Sequence, residues 1–174
     1  MSKTIFLQLW RFLLVFFLQA FVLDRVDVLA FVNPSIYVYF LLLLPREWPH
    51  FLHIILGFVM GYSVDAFADS AGIHSSSAVF LGFISPLWLN FLNQREKGDE
   101  VGAHGPNQLT AGQFLLYALP LIWAHQIFLF SVEYLDLGKI LSVLYYGTIN
   151  AFFTGVLVFI LRFFPSVIRK NKSR

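Results

Sequence analysis

The side chains best suited to chemistry in this chain are Asp65, Asp69, His74 and His125, and each lies in or beside a long apolar run. In "VDAFADSAGIHSSSAVFLGFISPLW", residues 64–88, the two aspartates stand four residues apart, so a helix sets them on one face. Two such carboxylates can in principle pair as acid and base. A carboxylate among apolar side chains is costly unless it has hydrogen-bonded company. What keeps Asp65 in place depends on the elements around it.

Those elements are membrane helices. Of 174 residues, 58% are hydrophobic and 13% charged, Phe alone contributes 21, and the mean hydropathy is +0.72. A soluble domain averages about 25% charged residues. The length allows one compact bundle without a separate soluble domain. Spans are expected at about 4–23, 28–44, 51–68, 77–93, 113–131 and 140–164. The second is broken by Asn33-Pro34 and has too short a run after the proline to cross alone, so a bundle of six helices is expected, with five as the alternative. The N-terminal run has the form of a secretory signal without a small-x-small cleavage site, and reads as an uncleaved first span.

Lys and Arg orient the bundle. Six spans put Lys3, Arg46, Arg95, Lys97, Arg169, Lys170, Lys172 and Arg174 on the cytoplasmic side and Arg25 and Lys139 outside. Both termini are then cytoplasmic. With five spans Lys3 and Arg25 exchange sides, so the charges fix only the C-terminus. In either case the 69–76 turn faces outward and the polar 94–112 loop faces the cytoplasm. Arg11 and Arg162 fall within spans near the inner face, where long side chains snorkel. The net charge of +2 and pI near 9.0 rest largely on the tail "RKNKSR", a topology signal rather than a nucleic-acid site. With no Cys there is no disulfide and no thiol chemistry.

Within the third span Gly57, Gly61, Asp65 and Asp69 recur every fourth residue. The glycines form a GxxxG pair that admits a neighbouring backbone, and the stripe carries Asp65 just below the outer surface and Asp69 at it. Ala71-Gly72 ends the helix, Ser75, Ser76 or Ser77 caps the next one, and Asp69 and His74 stand in water. His125, in the fifth span, lies about 9 Å below the outer face, at the depth of Asp65. The two are expected to hydrogen-bond across the bundle near Asn150; the alternative gives His125 a backbone carbonyl and Asp65 a serine or water. Gly147, Ala151 and Gly155 form a second small-residue stripe, Ala78 and Gly82 a third, and Pro86 and Pro120 mark kinks. HExxH is absent, "GYSVD" is not a GxSxG elbow, and no Gly-rich phosphate loop with a Lys occurs, so no enzyme signature is present and no catalytic residue, metal site or cofactor is expected.

"NPSIYVYFLLLLPREWP", "GFVMGYSVDAFADSAGIHSSSAVFLGFISP" and "FLLYALPLIWAHQIFLFSVEYL" together resemble the MreD family of bacterial rod-shape-determining membrane proteins. The matching positions are Pro45, Gly57, Gly61, Asp65, Gly72 and His74, then Tyr117, His125 and Glu133. The Gly-x3-Gly-x3-Asp-x6-Gly-x-His block is the most specific. One departure is Gln126, which follows His125 where the family is expected to pair histidines. The resemblance implies a non-enzymatic scaffold in the inner membrane that acts in cell-wall elongation. Its implied partners are MreC, RodA, a class B penicillin-binding transpeptidase and, through the cytoplasmic face, MreB, with membrane lipid around it. It also implies a fold similar to the six-helix substrate-binding component of energy-coupling-factor vitamin transporters, so a small-molecule binder is the second expectation.

Overall fold

The structure is a computed structural model that describes residues 2–21, 23, 32–95 and 105–171. The described residues are all-helical in class, and among them five helices are long and apolar enough to cross a membrane: α1 (Ser2–Phe21), α3 (His50–Ala68), α4 (Ile73–Arg95), α5 (Ala111–Tyr134) and α6 (Ile140–Asn171). A short helix, α2 (Val38–Leu42), lies inside the bundle. Many large apolar side chains point outward from the long helices, among them Phe6, Trp10, Phe58, Leu116 and Phe152. Patches this continuous suit lipid and not water.

Sequence explains the helix ends. Thr110 and Gln113 form a reciprocal capping box at the start of α5, and Leu135 ends it in the left-handed conformation. A 3-10 turn, Leu137–Lys139, leads into α6. The Asp69–Gly72 turn joins α3 to α4 at one end of the bundle, the turn face; residues 105–110 lie at the other, the loop face. Phe67, near the end of α3, packs on Phe16 and Phe21, near the end of α1, so both helices finish at the turn face.

Small residues set the helix spacing. A Cβ on Gly57 would meet the Ala78 carbonyl oxygen at 2.5 Å, and one on Gly61 the His74 carbonyl oxygen at 2.5 Å. A Cβ on Gly82 would meet the His53 carbonyl oxygen, so α3 and α4 touch backbone to backbone. Gly147 stands against Ile127 and Gly155 against Leu119, with Ala151 buried between them, and this seam joins α6 to α5. Pro120 cannot bond the Leu116 carbonyl within α5, and the Trp88 indole of α4 donates to that oxygen at 3.4 Å.

The expected span at 28–44 departs most from a regular helix. Residues 28–31 lie outside the described residues; in 32–44 only Val38–Leu42 is α-helical, and 32–35 have no regular structure. The segment is nonetheless the centre of the core: Tyr37, Val38, Leu42 and Leu43 are fully buried. Its free backbone groups are met by other helices. Asn33 N–H donates to Asn150 (2.7 Å), Ser35 N–H to Thr154 (3.1 Å) and Ile36 N–H to Gln19 (2.8 Å). At the far end Gln8 donates to the Leu43 carbonyl (2.9 Å) and Tyr117 to that of Leu42 (3.2 Å). Irregular backbone survives at membrane depth only when protein satisfies it in this way.

These bonds also measure the segment. Gln8 and Gln19 of α1 mark Leu43 and Ile36, and Asn150 and Thr154 of α6 mark Asn33 and Ser35. By helix rise, Asn33 and Leu43 stand roughly 22 Å apart along the bundle, where ten helical residues would reach only about 15 Å. The segment is more extended than a helix, most of all between Ile36 and Leu43, where turn residues flank the short α2. It carries the chain from the turn face, where α1 ends, back toward the loop face, where α3 begins.

Candidate functional site at the turn face

The cost of Asp65 is offset by the helix that follows it. Asp69 (φ 53), Ala71 (φ 43) and Gly72 (φ 91) adopt left-handed backbone and fold the turn tightly back. That brings the first turn of α4 over the Asp65 side chain. The carboxylate accepts from Ser70 Oγ at 2.6 Å, from His74 N–H at 2.9 Å, from Ser75 N–H at 2.8 Å, and from Ser75 Oγ. Helix N-termini leave their first N–H groups unpaired and carry partial positive charge. Asp65 is thus an N-cap supplied by the preceding helix, seated as anions commonly are at helix starts. The Gly61 contact with His74 and Ser75 makes this approach possible, because a side chain at 61 would push α4 away.

This arrangement corrects three expectations. Asp65 does not bond His125; its oxygens are directed to Ser70 and the His74–Ser75 backbone. α4 begins at Ile73, so Ser76 and Ser77 lie within its first turn and donate to the Ile73 carbonyl instead of capping. His74 does not stand in water but is buried, whereas Asp69 is exposed.

His74 and His125 converge on a residue from the interior segment. The Tyr37 hydroxyl lies 3.2 Å from His74 Nδ1 and 2.9 Å from His125 Nε2, and both imidazoles sit edge-on to its ring. Tyr37 and His125 are fully buried, and His125 Nδ1 has no hydrogen-bond partner. A hydroxyl has one proton, so one imidazole accepts from Tyr37 while the other donates to it. The path from Asp65 to His125 therefore runs through the His74 backbone, its ring and Tyr37.

Above this cluster the turn face holds a cavity of about 240 Å³, lined by Asn33, Ser35, Ser70, Ile73, His74 and Glu133 among others. Glu133 is exposed at its rim. Its floor is tied to the core: Thr154 accepts from Ser35 N–H and from Gln126 Nε2 (3.0 Å), so Gln126 braces the interior segment. Asn150 lies in this bracing, bonded to Asn33 N–H and to the Tyr146 carbonyl. Tyr117 is distant from the cavity, near the loop-face end, where it bonds Leu42 and Ser85. Gly57, Gly61, Gly147, Ala151 and Gly155 are seam residues.

Tyr37, Gln19 and Thr154 were not singled out by their sequence context. Each is a lone polar group in an apolar run, a signal that a partner must exist without saying where. Chemically the cluster can orient hydrogen bonds and pass a proton between two imidazoles. Among the described residues no group of three or more His, Asp or Glu could hold a metal ion. Neither protein-family models, nor curated proteins, nor solved structures match the chain.

Proposed function

We propose that this protein is a non-enzymatic membrane scaffold of the cell-wall elongation machinery, of the MreD kind, that helps maintain rod shape. It sits in the bacterial inner membrane with both termini cytoplasmic and the chain crossing six times, the interior segment making the second crossing in a fold like that of the energy-coupling-factor substrate-binding component. MreC, RodA and a class B penicillin-binding transpeptidase are its direct partners, and MreB is reached through the cytoplasmic face. One observation supports the reading above the others: the block that carries the family resemblance acts as one device. Gly57 and Gly61 close the α3–α4 seam, Asp65 caps α4, Gly72 shapes the turn and His74 faces Tyr37. A rigid outer hairpin and broad apolar flanks suit a protein that works by docking other spans.

Depletion in a rod-shaped host tests the proposal. Rounded cells and co-purification of MreC and RodA are expected; retained rod shape with a nutrient requirement relieved by supplementation would overturn it. That second outcome belongs to the other reading, a binder of small molecules of the vitamin-transporter type. The turn-face cavity favours it, since polar groups converge there as ligand sites require.

A further inference from the structure

Two cations at the loop face have no counter-charge among the described residues. Arg11 of α1 and the Leu161–Arg162 stretch of α6 meet at Tyr39 of α2. The Arg11 guanidinium lies 5.8 Å from the Tyr39 ring centroid and donates to the Leu43 carbonyl at 3.3 Å and to Gln8 at 3.4 Å. Tyr39 in turn donates to the carbonyl of Leu161, the residue beside Arg162. Arg162 rests against the rings of Phe114 and Phe163, at 5.7 and 5.6 Å, and donates from Nη2 to the Asn107 carbonyl at 2.7 Å. Its Nε is buried with no hydrogen-bond partner. Among the described residues neither arginine has a carboxylate partner.

Carbonyl oxygens and ring faces hold these guanidiniums in place but neutralise neither. Both sit within or at the edge of apolar spans, Thr4–Phe21 and Ile140–Phe163, where charge without compensation is expensive. A guanidinium matches a phosphate, donating to its oxygens through two parallel N–H groups. We propose that Arg11 and Arg162 form a phosphate-binding cleft between α1 and α6, occupied by the phosphate of an anionic membrane lipid. Tyr39 spaces the two cations. The sequence beyond Arg162, with Arg169, Lys170, Lys172 and Arg174, adds positive charge in the same direction along the chain.

The test is retention of lipid by the purified full chain in detergent, read by native mass spectrometry with phosphatidylglycerol or phosphatidylcholine added. Wild-type protein is expected to retain phosphatidylglycerol preferentially. Arg11→Gln and Arg162→Gln should each weaken retention about fivefold, a charge's worth near an anionic surface. Arg46→Gln, which alters a cation bonded to Asn90 elsewhere on this face, should leave retention unchanged. Equal retention of the two lipids by wild type, or undiminished phosphatidylglycerol on both glutamine variants, would overturn the proposal. Where Arg11→Gln fails to fold, Arg162→Gln and the wild-type preference decide. Displacement of the lipid by millimolar inorganic phosphate would assign the cleft to free phosphate; lipid held against it confirms the membrane source.

Discussion

Asp65 fastens two helices through one carboxylate, and its removal should register as lost stability. Asp65→Ala strands the His74 and Ser75 N–H groups and is expected to cost about 2 kcal/mol, measured by unfolding in mixed micelles. Asp65→Asn keeps one acceptor oxygen but turns an amide NH₂ toward backbone donors, so it should fall between wild type and Ala. Equal stability of all three would refute the cap. Tyr37→Phe removes the hydroxyl shared by both imidazoles and should cost about 1–3 kcal/mol. Its histidine NMR signals should shift together, because His74 and His125 share that oxygen. The need of Asp65 for polar company could be read from the sequence. Its partners could not, because three left-handed residues in the 69–72 turn decide which N–H groups arrive above it. His125 was a reasonable candidate by depth alone, and Tyr37 occupies the space between.

Glycine substitutions separate contact from conformation at the level of the helices. Gly61→Ala places a Cβ 2.5 Å from the α4 backbone, which has no side-chain freedom with which to yield. It is expected to cost about 3 kcal/mol and to loosen the hairpin. Gly72→Ala meets no atom within 4 Å but must hold φ +91, a strain of about 1–2 kcal/mol. Unfolding midpoints should therefore rank wild type, Gly72→Ala, Gly61→Ala, and the reverse order would show that the turn, not the seam, governs the hairpin. The long helices were legible because apolar run length reports them directly, and the GxxxG stripe announced a close neighbour. The interior segment was not. Its shape is imposed by Gln8, Gln19, Tyr117, Asn150 and Thr154, all distant in sequence and on three different helices.

The whole molecule lacks cysteine, so single introduced thiols can be labelled without background. Cysteines at Asp136 and Gln108 flank α5 and should react with impermeant reagent from opposite sides of the membrane. A cysteine at Ser2 should react from the same side as Gln108 if the chain crosses six times, and from the other side if five. The interior segment has a further consequence, for biogenesis. Two of its clamps, Asn150 and Thr154, belong to α6, which leaves the ribosome after α1–α5. Until that helix arrives, the amides of Asn33 and Ser35 lack their final acceptors, however well the earlier helices have settled. The newborn bundle thus stays chemically unfinished at its centre until α6 is made, which gives membrane quality control a natural means of telling bundles that lack this helix from those that have it.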